Sequence, residues 1–138
     1  MLRRALLTIV AALTMIVGHA IPATAQPDQS TCVPSTDAPT QTTATICVDV
    51  TGSTRRVYVR GTSLFTPTVL TVNWAELWED NTLVVYNCCG WSGYSDYYGG
   101  GWTVRPGHWY QACASVGVRD AVLGGHTYGP ICSNWRYS

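Results

Sequence analysis

The sequence predicts an all-β protein, an antiparallel sandwich of about seven strands held by disulfide bonds. Apolar and polar residues alternate with a period of two over much of the chain after residue 45, as they do in half-buried strands. Turn-forming Gly, Pro, Asn and Asp residues interrupt this alternation at near-regular intervals. All six cysteines follow an N-terminal segment of the kind that directs export, where disulfides form.

Residues 1–25 have the features of a cleaved signal peptide. A basic start at Arg3 and Arg4 precedes an apolar run over residues 5–18, and Ala23-Thr24-Ala25 matches a small-residue cleavage site. The apolar run is shorter than the roughly 20 residues of a membrane-spanning helix. We therefore expect a secreted, extracellular protein with no stable membrane span after cleavage.

The remaining chain divides into a Thr- and Pro-rich N-terminal segment, residues 26–44, and a β-sandwich domain, residues 45–138. Cys32 and Cys47 lie symmetrically about Pro39 and Thr40, as on the two arms of a hairpin-like loop. A bond between them closes a loop of about 15 residues, which stabilises the fold by about 3 kcal/mol in the chain-entropy model.

The first four strands of the sandwich are predicted from apolar residues spaced two apart. Glu79-Asp80-Asn81 is the hairpin turn between the third and fourth, and there Glu79 is expected to be solvated. A helix from Trp74 to Trp78 also fits, but the segment is short and its flanks are β-branched, so a strand is favoured. The residues that define these four strands, in chain order, are Ile46, Val48 and Val50; Val57 and Val59; Leu70, Val72 and Trp74; and Leu83, Val84, Val85 and Tyr86.

The next segment, Asn87 to Trp102, is predicted to be a glycine-rich loop that begins at two adjacent cysteines. Three strands follow it. The first is short, from Trp102 to Val104. The clearest runs from Trp109 to Val118, with an apolar face and, opposite it, Gln111, Cys113 and Ser115. After a loop at residues 119–125, the last strand runs from Thr127 to Trp135, with Ile131 and Trp135 facing inward.

Two short motifs resemble fibronectin type III-like domains. Pro106-Gly107-His108-Trp109-Tyr110 is similar to the Pro-Gly-x-x-Tyr stretch that leads into their sixth strand, and Gly129-Pro130 followed by Ser133 is similar to their last strand. The resemblance covers about residues 70–135. It implies an immunoglobulin-like extracellular sandwich with a role in adhesion or carbohydrate association, although a fold alone does not give a function.

Side-chain parity suggests how the cysteines pair. Cys113 and Cys132 both lie on the polar sides of their strands, nearly equidistant from the loop at Val122 and Leu123, so they should face each other across neighbouring strands. Cys88 and Cys89 are then left over. They bond either to each other, in a strained ring, or separately to members of the other two pairs; the sequence leaves both alternatives open.

Aromatic residues of the glycine-rich segment are the predicted binding surface. Tyr and Trp give wide amphipathic contact areas, and with Gly and Ser they dominate natural binding loops. The alternative is that these rings only cover the end of the sandwich. The candidate contact residues are Trp91, Tyr94, Tyr97, Tyr98 and Trp102.

Composition and motifs argue against several other functions. From residue 26 onward there are six Arg, no Lys and eight acidic residues, too few cations for a nucleic-acid surface. His108 and His126 have no nearby partner at metal-ligand spacing, so neither a metal nor another cofactor is expected. Glu76 and Glu79 have opposite strand parity, which disfavours a glycosidase pair. Ser92, Asp96 and His108 lack the sequence context of a catalytic triad.

The resulting hypothesis is a secreted, non-catalytic protein that binds extracellular carbohydrate or protein through its aromatic segment. One alternative is a small secreted enzyme inhibitor, because a disulfide-locked β scaffold is preorganised for binding. A second is a secreted hydrolase whose site the sequence does not reveal, because catalytic groups are recognised by geometry.

Overall fold

A computed structural model describes residues 27–64 and 67–138, apart from the side chain of Cys89. The predicted signal peptide lies outside these residues. Within them the chain forms two antiparallel sheets, and its single helical element is a short 3-10 turn, Gln29–Thr31. The all-β prediction is therefore confirmed. None of the described helical structure has the length and apolarity needed to span a membrane.

The first sheet is built on two consecutive hairpins. Its long strands pair in chain order, and two short strands from later in the chain pair with the last of them. The strands are β1 (Val33–Asp37), β2 (Thr42–Thr51), β3 (Thr54–Thr62), β6 (Tyr97–Tyr98) and β7 (Trp102–Thr103).

The second sheet has the order β5-β4-β8, and two further strands, β9 and β10, pair with the far side of β8. Its strands are β4 (Thr68–Glu79), β5 (Thr82–Gly93), β8 (Trp109–Asp120), β9 (Gly124–Cys132) and β10 (Arg136–Tyr137). Seven of the ten described strands have five or more residues. The number agrees with the prediction, but β1 was not predicted as a strand, and the predicted strand at Trp102 shrinks to two residues.

The core lies between the sheets and consists of the inward-facing apolar residues of β2, β3, β4 and β8. The predicted alternation of β8 is confirmed, because every second residue from Tyr110 to Val118 is buried. The main core residues are Ile46, Val48, Val57, Val59, Leu70, Val72, Leu77, Tyr110, Val116 and Val118.

Both symmetry-based disulfides are confirmed. Residue 33 pairs with residue 46 across β1 and β2, and the adjoining Cys32 and Cys47 are bonded with their Cα atoms 4.2 Å apart. Cys113 and Cys132 are register partners on β8 and β9, bonded with a Cα separation of 4.0 Å. Since these four cysteines bond within their own pairs, the alternative that distributes Cys88 and Cys89 among them is wrong. Cys88 also takes part in a disulfide.

A β-bulge at Asn73 changes which residues of β4 face the core. Val72 pairs with Val116 and Trp74 with Ser115, so Asn73 is an extra residue relative to β8. Before the bulge Leu70 and Val72 are buried; after it Ala75, Leu77 and Glu79 are. The extra residue shifts the period-two pattern by one. Trp74 therefore lies on the outer face, although its spacing from Leu70 and Val72 predicts the same face for all three.

The predicted loop at Asn87 is instead largely strand. β5 continues through the two cysteines to Gly93, and β6 and β7 lie between there and Thr103. Its glycines permit close approaches: a Cβ at Gly99 would lie 3.1 Å from the Asn87 amide nitrogen, and one at Gly101 would lie 2.7 Å from Thr54 Cγ2. The glycine run thus packs tightly over its neighbours, which a larger residue would prevent.

The end of the chain also departs from the prediction. β9 begins at Gly124, so the turn after β8 is shorter than predicted, and β9 ends at Cys132. Ile131 packs against the core as predicted. Trp135 lies beyond the strand and faces the outer side of the second sheet together with Cys113 and Cys132. The predicted parity of Trp135 is wrong because the strand stops before it.

Glu79 is buried, and the expectation of a solvated residue at the hairpin turn is wrong for it. Its Oε1 accepts hydrogen bonds from the Tyr110 hydroxyl at 2.6 Å and from Arg105 Nε at 2.9 Å. The turn itself is confirmed, with positive φ at Asp80 and Asn81, as in a type I′ turn. The Tyr110 hydroxyl also accepts a hydrogen bond from the Arg105 backbone N–H at 2.9 Å.

Candidate functional site

The five predicted contact residues divide into two groups. Trp91, Tyr97 and Trp102 are partly buried and pack against the core, and the rings of Trp91 and Tyr97 are 5.4 Å apart. Tyr94 and Tyr98 point outward, with 73% and 44% of their surfaces exposed. The structure thus turns three of the five residues toward the core and leaves the two tyrosines as the most exposed of the five.

Tyr98 belongs to a polar cluster on the outer face of the first sheet, which we call the tyrosine–arginine patch: Arg56, Tyr58, Arg60, Asp96 and Tyr98. Asp96 accepts hydrogen bonds from the Tyr58 hydroxyl at 2.7 Å and from Arg60 Nη2 at 2.8 Å. The Tyr58 and Tyr98 rings are 5.1 Å apart, and the Arg56 guanidinium lies 5.1 Å above the Tyr98 ring. The patch is therefore ordered by both ion pairs and ring contacts.

The electrostatics of the patch keep its groups in fixed charge states. Burial raises the pKa of Asp96, but hydrogen bonds from Arg60 and Tyr58 outweigh burial, so its pKa is lowered overall. Burial, followed by the hydrogen bond to Asp96, raises the pKa of Tyr58. Arg56 is paired with Asp49 at 2.8 Å. Around neutral pH Arg60 and Asp96 therefore form an ion pair with no net charge, and the two tyrosines stay protonated.

Tyr94 lies beside the patch, at a shallow cavity of about 350 Å³. Asp96 lines the same cavity, together with Gly61 from β3 of the first sheet and Leu70 from β4 of the second. A side chain at Gly61 would crowd Leu70 and Val118, at 3.1 Å from each. The cavity connects the exposed tyrosine ring with the ion-paired carboxylate.

A second aromatic surface, absent from the predicted site, lies on the outer face of the second sheet. We call it the tryptophan groove; it has a volume of about 380 Å³. Trp74, Glu76 and Trp78 alternate along β4, and a period-two Trp-x-Glu-x-Trp pattern is the sequence signal that could have revealed it. The other lining residues are Asn81, Gln111, Cys113, Pro130, Cys132 and Trp135.

The residues considered for catalysis have separate partners. Asp96 binds Tyr58 and Arg60, whereas His108 Nδ1 lies 2.5 Å from Asp80 Oδ2. Ser92 lies on β5 opposite Thr71. Glu76 faces the groove and Glu79 the interior, as their opposite parity predicts. Among residues 27–64 and 67–138, no three His, Cys, Asp or Glu side chains form a group that could hold a metal ion.

No protein-family model, curated protein or solved structure matches this chain. The geometry of the two aromatic surfaces is therefore the basis for a functional proposal.

Proposed function

We propose that this chain is a secreted, non-catalytic binding protein whose contact surface is the tyrosine–arginine patch together with Tyr94. The observation that carries the proposal is the outward presentation of the Tyr94 and Tyr98 rings beside a network whose charges are already paired. The partner is an extracellular carbohydrate or protein. Exposed aromatic rings supply contact area for either, and paired charges supply oriented donors and acceptors.

Preorganisation supports this proposal. Binding costs free energy whenever mobile side chains must be ordered. In the patch, Arg60 and Tyr58 are held by Asp96, and the Arg60 guanidinium also lies 5.6 Å from the Tyr58 ring centroid. Cys47, bonded to Cys32, is the register partner of Tyr58 on the neighbouring strand. A partner would therefore meet a surface that is ordered before binding.

We further propose that the sandwich is immunoglobulin-like. The order β9-β8-β4-β5 corresponds to that of an immunoglobulin sheet in which a further strand flanks the central pair. The Tyr110 hydroxyl bonds to backbone five residues upstream, as in the tyrosine corner of such domains. Both features support the resemblance around Pro106 and Gly107, and such sandwiches serve widely as extracellular binding domains.

Replacing Tyr94 and Tyr98 individually with Ala tests the contact surface. The purified protein is applied to a glycan array and used in pull-downs from the surroundings of the producing cell. We expect at least fivefold weaker binding for each variant, because exposed tyrosines at interface centres are frequent energetic anchors. Tyr86→Ala is the matched control, since Tyr86 is 55% exposed but lies on β5.

If both patch variants fold and every detected interaction keeps its affinity, the proposal is wrong. Trp91 and Tyr97 are unsuitable for this test because their rings pack against the core, so truncating them would also destabilise the fold.

The alternative of a secreted enzyme inhibitor uses the same surface. This alternative is supported by the order of the patch, which Asp96 and the Cys32–Cys47 bond hold in place, because preorganised surfaces lose less free energy on binding. In the experiment above an inhibitor would capture one enzyme through Tyr94 and Tyr98, and no glycan binding would depend on these two residues. For a glycan-binding patch, glycan binding would depend on them and no enzyme would be captured.

A further inference from the structure

From its geometry we infer that the tryptophan groove is a second binding site, for the sugar rings of a neutral carbohydrate. The groove lies on the opposite sheet from the tyrosine–arginine patch, so the inference does not depend on the function proposed for the patch. Its volume of about 380 Å³ lies within the range of small-ligand sites in proteins.

The first argument is the arrangement of the indole rings. Trp74 and Trp78 lie four residues apart on one strand, which places their Cα atoms about 13 Å apart at a strand rise of about 3.3 Å per residue. Trp135 borders the same groove from the segment that follows β9. All three side chains are partly exposed. Flat aromatic faces carry negative charge density, which attracts the C–H bonds on the faces of sugar rings.

The second argument is that the groove has a few fixed polar groups among the rings. Trp78 Nε1 donates a hydrogen bond to Glu76 Oε2 at 3.0 Å, and Gln111 Nε2 donates one to the Ser133 carbonyl at 2.9 Å. Both groups are therefore oriented before a ligand arrives. A carboxylate and an amide beside apolar rings are suited to accept and donate hydrogen bonds to sugar hydroxyls.

The third argument is the rigidity of the groove. Glu76 pairs with Cys113 in the sheet register, and Cys113 pairs with Cys132, so carboxylate and disulfide form one row across three strands. The Cys113–Cys132 bond, whose two residues line the groove, ties β8 to β9. A rigid platform lowers the entropic cost of binding.

The charge of the groove selects the ligand class. Of the described residues that line it, Glu76 is the one with an ionisable side chain, because the two cysteines are bonded. An anionic glycan would be repelled by this carboxylate. A neutral, hydroxyl-rich ligand would not be repelled, so the groove favours neutral carbohydrates.

The test is a titration of the purified protein with neutral hexasaccharides, namely cello-, xylo-, manno-, malto- and chitohexaose, with polygalacturonate as the anionic probe. Binding is followed through the indole N–H resonances of the unsubstituted protein. We expect at least one neutral hexasaccharide to shift the signals of Trp74, Trp78 or Trp135 while those of Trp91 and Trp102 stay in place. The inference is overturned if none shifts the groove signals at concentrations up to about 10 mM, well beyond weak binding.

Variants give an independent measure. We expect Trp74→Ala and Trp78→Ala each to weaken hexasaccharide binding about tenfold, a typical effect of losing an aromatic anchor. Trp109→Ala is the matched control, because Trp109 is 48% exposed but lies outside the groove; its affinity should stay within twofold, about the effect of a neutral contact. Full affinity in folded Trp74→Ala and Trp78→Ala would also overturn the inference. Tyr98→Ala should leave hexasaccharide binding intact, which separates a failure here from one at the patch.

Discussion

On both outer faces of the sandwich a disulfide joins neighbouring strands beside aromatic side chains. Cys32–Cys47 accompanies Tyr58 on the first sheet, and Cys113–Cys132 accompanies Trp74 and Trp78 on the second. The first face orders its rings with ion pairs and buries Tyr58 to 3% exposure. The second leaves its rings partly exposed around a single carboxylate. A similar covalent framework thus supports surfaces of different chemistry, and stability and binding should respond differently on each.

The largest expected effect comes from removing either disulfide. Cys32→Ala/Cys47→Ala and Cys113→Ala/Cys132→Ala open loops with sequence separations of 15 and 19 residues. Each double variant should lose about 3 kcal/mol of unfolding free energy in the chain-entropy model. Urea denaturation checks this. A loss below about 1 kcal/mol for both variants would contradict the view that the two faces share a stabilising framework.

Acidification should lower the free energy of unfolding by an intermediate amount, through Glu79 in the second sheet. Glu79 lies on the inner side of β4, and hydrogen bonds from Arg105, opposed by burial and aided by Tyr110, lower its pKa to about 2 from 4.5. A lowered pKa stabilises the fold above the unfolded value, and this contribution is lost as pH falls from about 4.5 to 2. We expect about 2 kcal/mol, since the exposed Arg105 is screened by solvent.

Glu79→Gln is the variant that isolates this effect. It should be less stable than the native protein at pH 7, and the difference should shrink as pH approaches 2. Chemical denaturation across this pH range provides the measurement. A constant difference between the two proteins would show that the Glu79 charge is not what Arg105 and Tyr110 stabilise.

The smallest effects compare one hydrogen bond on each face. Tyr58→Phe removes a buried hydroxyl that donates to Asp96, and it should cost about 1.5 kcal/mol because the acceptor is charged. Trp78→Phe removes an indole N–H from a partly exposed side chain, where water can replace its hydrogen bond to Glu76, and it should cost about 0.5 kcal/mol. Thermal denaturation of both variants gives the comparison. An equal or reversed ranking would argue against the ion-paired face being the more stabilising one.

Local patterns were sufficient to predict several parts of this fold. The Cys32–Cys47 bond follows from symmetry about a hairpin, because antiparallel partners without a bulge have a constant sum of residue numbers. The Cys113–Cys132 bond follows in the same way, since the register shift between Ala114 and Val116 changes that sum by only one. The alternation from Tyr110 to Val118 predicts the buried face of β8 directly. These features depend on residues near one another in sequence.

Other features depend on contacts between distant segments. The bulge at Asn73 is defined by pairing with β8, more than 40 residues away, so the alternation of β4 alone assigns Trp74 to the wrong face. The wrong face for Trp74 also kept the tryptophan groove out of the prediction, although the local Trp-x-Glu-x-Trp spacing places its three β4 residues on one face. Glu79 is buried because Arg105 and Tyr110 satisfy its carboxylate, and no local pattern contains that information. For the aromatic segment, residue types identified the region, but packing decided that Trp91, Tyr97 and Trp102 contact the core.

The bulge at Asn73 also determines how this chain can tolerate changes in length. Deleting that one residue would remove the bulge and restore strict alternation along β4, with Leu70, Val72, Ala75 and Leu77 still on the core side. Deleting Thr71 while the bulge is kept would instead turn Leu70 toward water. A one-residue deletion in β4 therefore preserves the buried face at Asn73, whereas at a regularly alternating position it exchanges inside for outside along part of the strand.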